Sequence, residues 1–448
     1  MVLTSSPRAN RSFQILDSHK QLMKHLPLTR NQRRGFLAAW GGFVLDGMDS
    51  FIYALVMVPA LRELLPQSGI PGDQSHVGYY GGLLFALFLV GWGCSLVWGP
   101  IADRYGRVIT LMLTIVCYSL FTFLGAFAVN VWMLAAFRFL AGIGIGGEWS
   151  MGGTFIAEEL PEDRRKWGAG LMHTGYYVGV FLAAIANYTI GARYGWRAMF
   201  LVGGAPALLV GFIRFGVTES KRWENRIAQV GQSWTMLKAF AALFSPQYRR
   251  RTILNSTYLL ISITGLWAGS VYVPTAVSQI AIRSGFTESQ GVRLGSYGTM
   301  ILATGTILGC LAIPYLAEKF GRRLVLGVYF GLMAAFIWLG FGYVFYLATN
   351  ALAWFLICLF FLGVGGANFA MYTLWLPEQY STECRASAFA FATSIGRFVG
   401  AGITFLVGYG VSYYHTIGTP VALTALAFVL GIFLLPFGVE TKGEDLPA

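Results

Sequence analysis

Five ionisable side chains sit inside long runs of apolar residues in this sequence: Asp46, Asp49, Arg138, Glu148 and Arg397. At the centre of a membrane helix each would cost roughly 2.5–3.5 kcal/mol on insertion scales, so each needs a reason to be there. Asp46 and Asp49 are three residues apart and share one helix face, about 4.5 Å apart along its axis. Two carboxylates that close in a low dielectric do not both ionise easily, and such a pair is a ready carrier of protons. The competing reading pairs one aspartate permanently with Arg138 or uses it to cap a helix break near Gly47. Arg138 and Glu148 share a helix but lie ten residues apart, about 15 Å along the axis. They cannot pair directly, so an aspartate near Asp46 is the simplest partner for Arg138. Glu148 is then either a second protonatable site or a neutral acid bonded to backbone.

Arg397 is the most informative of the five, because arginine does not shed its proton in a protein. The second half of the chain places no other charge at that depth. Its counter-ion must come from the first half, from water in a cavity, or from a bound carboxylate, which would make a bidentate, charge-assisted pair. The rival is a structural bridge to Asp46 or Asp49. Polar and aromatic residues that would complete a pocket are Tyr53, His173, Tyr176, Trp267, Asn368, Tyr372 and Trp375. Taken singly, each is more often a core or lipid-interface residue, and a lone His173 is more often bonded to a neighbour than titrating. The string from Gly142 to Gly147 contains a formal GxGxxG, but within an apolar helix rather than a βαβ unit, so a dinucleotide site is rejected. Gly142 and Gly146 read instead as a small-residue stripe for close helix packing. The five cysteines are dispersed, with neither metal nor disulfide spacing. No nucleophile–base or metal constellation appears, which argues against an enzyme, and no cofactor is expected beyond protons as the coupling ion.

The elements that position these groups follow from composition. The 448 residues are 56% hydrophobic and 12% charged, with mean hydropathy +0.60. That is half the charge of a soluble domain, too little to cover a water-exposed surface of this size. At roughly 20 apolar residues per crossing, the apolar runs give twelve spans: 36–61, 77–101, 108–129, 131–157, 167–190, 197–217, 252–280, 294–316, 323–346, 350–376, 386–413 and 418–439. The net charge of +12 would suggest nucleic acid in a soluble protein. Of the 32 Lys and Arg, however, five fall on one side and three inside the spans, and the rest lie in the N-terminal tail and alternate loops. This is the positive-inside pattern, with both termini cytoplasmic and no nucleic-acid partner. The expected organisation is a basic tail (1–35), a six-helix bundle (36–217), a cytoplasmic linker (218–251), a second six-helix bundle (252–439) and a short tail (440–448).

The two halves repeat. GPIADRYGR, from Gly99 to Arg107, follows the second span, and PYLAEKFGR, from Pro314 to Arg322, follows the eighth. Leu160-Pro161-Glu162 and Leu376-Pro377-Glu378 end the fourth and tenth at nearly the same offset. Such a parallel repeat predicts a site at the midplane between halves that rock around it. In the first loop Asp103 and Arg107 are four apart, with Arg104 between them and Gly106 allowing a tight turn. The acid is positioned to cap the next helix or to bridge to a helix end of the other half, a contact whose making and breaking would bias which side is open. Glu318, Gly321 and Arg322 form the weaker copy. The competing reading is a loop that is basic only because it is cytoplasmic.

GPIADRYGR resembles the signature loop of the major facilitator superfamily. Within it, Asp46-Gly47-Met48-Asp49 is similar to the helix-one motif of proton-coupled organic-acid symporters. RFLAGIGIGGEWS in the fourth span and GRFVG in the eleventh are similar to the sialate and lactate branch. Trp149-Ser150 follows Glu148 where the aromatic-acid branch carries Pro-Asn. The resemblance implies a major facilitator fold in a bacterial inner membrane and proton-coupled uptake of a small organic carboxylate (sialate, lactate-like or aromatic). Such a chain is expected to be monomeric in the lipid bilayer. The alternatives are a proton antiporter exporting drugs or cationic compounds, against which Arg397 counts, and a sensor that keeps the fold without turnover.

Overall fold

The computed structural model describes residues 28–98, 101, 105–160, 162–216, 218–219, 241–380 and 385–444. Most of the basic tail and much of the linker fall outside the described residues, as do Gly99, Asp103, Arg104 and the side chains of Arg107 and Trp267. Among the described residues every regular element is helical. The first half contains α1 (Arg30–Gln67), α2 (Gln74–Cys94), α3 (Arg107–Gly125), α4 (Val131–Glu159), α5 (Glu162–Ala186) and α6, in two pieces (Trp196–Val202 and Ala207–Gly216). The second contains α7 (Arg249–Ser270, continued by Val273–Arg283), α8 (Glu288–Phe320), α9 (Arg322–Ile337) and α10 (Ala351–Gly366, then Asn368–Trp375). It ends with α11 (Arg385–Tyr414) and α12 (Gly418–Leu423, then Ala425–Leu434).

Ten of these are long and apolar enough to cross a membrane. The remaining crossings, α6 and α7, are interrupted. The stretch 203–206, ending in Pro206, breaks the first, and Pro274 near the start of Val273–Arg283 breaks the second, because proline lacks the amide an unbroken helix needs. Interrupted crossings are tolerated where neighbouring helices satisfy the freed backbone. The result is twelve helices in two six-helix bundles, so the even number of crossings returns the chain to the side where it began. α1 starts earlier than the apolar run alone indicates, because Thr29 and Gln32 form a capping box that extends the helix by a turn and a half.

The halves meet along α2 with α11 and α5 with α8. At the end opposite the termini they are tied by a hydrogen bond between the hydroxyls of Ser75 and Ser412 at 2.6 Å and one from the Asn187 amide to Ser296 at 3.0 Å. Tyr272 also donates to the Gly78 carbonyl there. The glycine stripe of α4 packs as its spacing predicts. A Cβ on Gly142 would lie 2.3 Å from the Phe88 carbonyl oxygen, so α4 meets α2 backbone to backbone there, and one on Gly146 would lie 2.1 Å from Ser95 Oγ just beyond α2.

Candidate functional site

α1 is buried on almost every side over its middle turns, and this places Asp46 and Asp49 at the centre of the first bundle. Arg138 and Glu148 come to the same region from α4, and Arg397 crosses from α11. All five are 2% exposed or less. The structure therefore brings together the groups that the sequence singles out, including the one contributed by the second half.

These charges are gathered but not locked. Asp46 accepts a bond from Ser50 at 3.4 Å, and its second oxygen has no hydrogen-bond partner. Neither oxygen of Asp49 or Glu148 has one, nor does any nitrogen of Arg138. Arg138 faces Asp49 and Arg397 faces Asp46 electrostatically, but neither couple closes to ion-pair distance among the described residues. The permanent Asp–Arg bridge that competed with proton carriage is thus not formed in this conformation. Glu148 lies against α1, where a Cβ on Gly42 would fall 1.7 Å from its Oε1, so an alanine there would force the carboxylate out of its present position. Tyr118 stands beside Glu148 and Thr122 beside Asp49, both short of hydrogen-bond geometry.

Arg397 rests on aromatic faces of the first half. Its guanidinium carbon is 4.1 Å from the ring centre of Trp92 and 5.6 Å from that of Trp149. One terminal nitrogen donates to the Thr393 carbonyl one turn back on α11. Around it stands an aromatic cluster drawn from both halves. Trp149 meets Phe389 edge-on at 4.8 Å, and His173 stacks on Phe369 at 6.4 Å and tilts against Phe43 at 5.5 Å. Tyr176 lies beside Asp46 and Ser50. The hydroxyl of Tyr177 crosses to the Gly366 carbonyl at the break in α10. Four of these aromatics, Phe43, Trp92, Phe369 and Phe389, give no sequence signal that separates them from lipid-facing ones.

The expected pocket residues divide. His173 and Tyr176 belong to the cluster. Tyr53 donates to the Gly81 carbonyl at 3.2 Å with its ring beneath Arg138. Asn368 spends its amide on the Gly365 carbonyl and leaves its oxygen buried without a partner, beside the α10 break. Two others make their hydrogen bonds within the second half. Tyr372 turns to α7, bonding Ser262 at 2.8 Å and the Tyr258 carbonyl at 2.9 Å. Trp375 donates its indole N–H to the Val439 carbonyl and stacks on Tyr258. Both find hydrogen-bond partners within their own half, while the Tyr372 ring also meets Phe369 of the cluster edge-on at 6.3 Å. A separate apolar cavity of about 280 Å³ lies on the α5–α8 seam, between Trp167, Leu171, Cys310 and Pro314. None of the five charged residues lines it, so it is not the site.

The second loop motif is wired within its own half. Arg322 is bidentate to Glu378, at 3.0 and 2.7 Å, and its Nη2 also reaches Glu318 at 2.9 Å. The two repeat motifs found independently in the sequence, the loop and Leu-Pro-Glu, are thus one contact. In this copy the loop acid does not cap the following helix. The amides of Arg322 and Arg323 donate to Glu440 instead, while Glu318 pairs with Arg322. In the first half Glu219 takes the amide of Val108 in the same way. Gly106 and Gly321 adopt φ of 104° and 91°, a region that disfavours any side chain. Glu219 and Glu440 escaped the sequence reading, although each stands shortly after a Gly-Val pair, at Gly216 and Gly438.

The model of the Major Facilitator Superfamily matches residues 39–404. The chain belongs to that superfamily. It is 30% identical to a probable 4-methylmuconolactone transporter of Cupriavidus pinatubonensis, over 92% of this chain and 91% of that protein. It is 25% identical to a sialic acid transporter of Escherichia coli, over 92% and 95% of the two chains. Among solved structures, a D-xylose–proton symporter superposes with a TM-score of 0.71 at 20% identity, covering 93% of this chain and all of that one. That likeness supports the fold. The chain is a multi-pass membrane transporter of a family whose members carry small organic molecules, and not an enzyme.

Proposed function

We propose that this transporter is a symporter that takes up a small organic carboxylate together with protons, by alternating access, in a bacterial inner membrane with both termini cytoplasmic. One observation carries the reading: Asp46 of one half faces Arg397 of the other, and Asp49 faces Arg138, all buried and without closing an ion pair. A buried, uncompensated charge is costly, and it is useful when a mobile species supplies the compensation. In this mechanism protons neutralise the α1 carboxylates, with Glu148 as a further acceptor and Arg138 facing Asp49. The substrate carboxylate binds Arg397, with His173 and Tyr176 beside it. With both occupied, the halves rock without exposing bare charge, so reorientation favours the loaded carrier.

The named cargoes of the relatives, such as sialic acid and 4-methylmuconolactone, are acids or close derivatives of acids. The aromatic walls around Arg397 favour a cargo with one flat or apolar face next to its carboxylate. A thermal-shift panel on purified protein tests this, using sialic acid, lactate, 4-hydroxybenzoate and niacin. A carboxylate should raise the melting temperature of the wild type and not of Arg397→Met. Stabilisation by cationic compounds alone would point to the antiport reading instead.

A further inference from the structure

Arg138 and Arg397, the two arginines of the charged centre, rest on one face of α2. Phe88 and Trp92 are four residues apart, one helical turn, and so lie on the same side of that helix. Their rings are 5.8 Å apart and edge-on. The guanidinium carbon of Arg138 sits 4.1 Å from the Phe88 ring centre, and that of Arg397 sits 4.1 Å from the Trp92 ring centre. Arg138 comes from α4 in the same half as α2, and Arg397 comes from α11 in the other half. No nitrogen of Arg138 has a hydrogen-bond partner, and neither does Nε of Arg397. An aromatic face attracts a cation through its quadrupole, most strongly for tryptophan and when water is excluded. Trp92 is 3% exposed, so this contact is dry.

We propose that Trp92 is a positioning residue for the transport cycle: its ring stands in for the substrate carboxylate at Arg397 while the carrier is unloaded, so that the empty protein can reorient. The proposal rests on the reading that the substrate carboxylate binds Arg397. A symporter must return empty after each delivery, and in that step Arg397 has no anion. A carboxylate locked to it permanently would compete with substrate. A neutral ring attracts the guanidinium without matching its hydrogen bonds, so an incoming carboxylate displaces it readily. Because Trp92 and Arg397 belong to different halves, the contact also holds α2 against α11 along the seam where the bundles meet. Phe88 gives Arg138 a similar surface within one half, where no movement between halves is needed.

Counterflow, the exchange of internal for external substrate, bypasses the empty return, whereas net uptake requires it. The test compares the two in proteoliposomes with a radiolabelled probe that the wild type carries, taken from sialic acid, 4-hydroxybenzoate and niacin. Trp92→Leu should lower the ratio of net uptake to counterflow at least fivefold, and Trp92→Phe, which keeps a ring, should lower it less. Fluorinated tryptophans placed at position 92 keep the shape of the side chain and weaken its quadrupole. They should lower the ratio in steps with each added fluorine. Equal losses of both activities in Trp92→Leu, or no dependence on fluorination, would overturn the proposal. A second readout needs no substrate. Trp92→Leu should lower the melting temperature of the wild type by several degrees and that of Arg397→Met by much less. If the wild type carries none of the probes, the transport reading fails on its own account and the melting comparison decides this proposal: additive losses overturn it.

Discussion

Removing Glu378 tests how the repeat motifs work. Arg322 is 1% exposed and Glu378 is 8% exposed, and they meet through two parallel bonds of 3.0 and 2.7 Å. Breaking such a buried pair from one side costs about 3–5 kcal/mol, mostly because the surviving charge is left unpaired. In Glu378→Ala, Arg322 would keep Glu318, which is 46% exposed and so partly screened, and the Ala317 carbonyl at 3.1 Å. The expected loss therefore lies at the lower end, about 3 kcal/mol. Thr441, which donates to Glu378 at 2.5 Å, also loses its acceptor, and the chain after α12 should loosen from the bundle. Thermal unfolding of the detergent-purified protein should show a drop on the order of 5 °C for Glu378→Ala. The double variant Arg322→Met with Glu378→Met should recover most of that loss, because no charge is stranded in it. A double variant less stable than either single change, or a Glu378→Ala protein as stable as wild type, would refute the claim that this contact is a buried pair holding one half together.

Arg397→Lys keeps the charge but loses the planar fork, and should weaken apparent substrate affinity about 10–100-fold as one charge-assisted bond is lost; Arg397→Met should weaken it further, both measured as the concentration giving half-maximal uptake. Gly42→Ala puts a methyl group where Glu148 Oε1 lies, so proton-driven uptake should fall at least fivefold while the protein remains monodisperse on size exclusion; unchanged uptake would remove Glu148 from the coupling site. Asp73 caps α2 and is held below the usual carboxylate range, first by the backbone N–H of His76 and then by the His76 ring. A depressed folded value means that the cap contributes above the unfolded carboxylate value and is lost as pH falls through the folded one. The difference in melting temperature between wild type and Asp73→Ala should therefore persist at pH 5 and shrink as pH falls below about pH 4.

The fold was legible in the sequence because lipid imposes a single rule, apolar runs long enough to cross, and because the two loop motifs and the two Leu-Pro-Glu segments recur at matching offsets. α6 and α7 were also legible as apolar runs, even though proline divides them into shorter helices. The charged centre was legible for the same reason: Asp46, Asp49, Arg138, Glu148 and Arg397 stand out against an apolar background. The partners of those charges were not. An aromatic ring that supports a guanidinium, such as Trp92 or Phe88, looks in sequence like any other aromatic in a membrane helix. The hydrogen bonds of Trp375 and Tyr372 were not legible either, because a buried indole or phenol needs only one partner and a backbone carbonyl in the same half can supply it. Glu219 and Glu440 were hidden because capping acids lie beyond the apolar runs, and only the three-dimensional turn brings them to the helix they cap.

Acid-driven uptake in proteoliposomes tests the central claim most directly, with the pH gradient as the only driving force. A labelled carboxylate should accumulate when the outside is acidic, the accumulation should collapse when the gradient is dissipated, and Asp49→Asn should abolish it while leaving the protein folded. Uptake that ignores the gradient, or accumulation only when the gradient is reversed, would contradict proton symport through the α1 carboxylates.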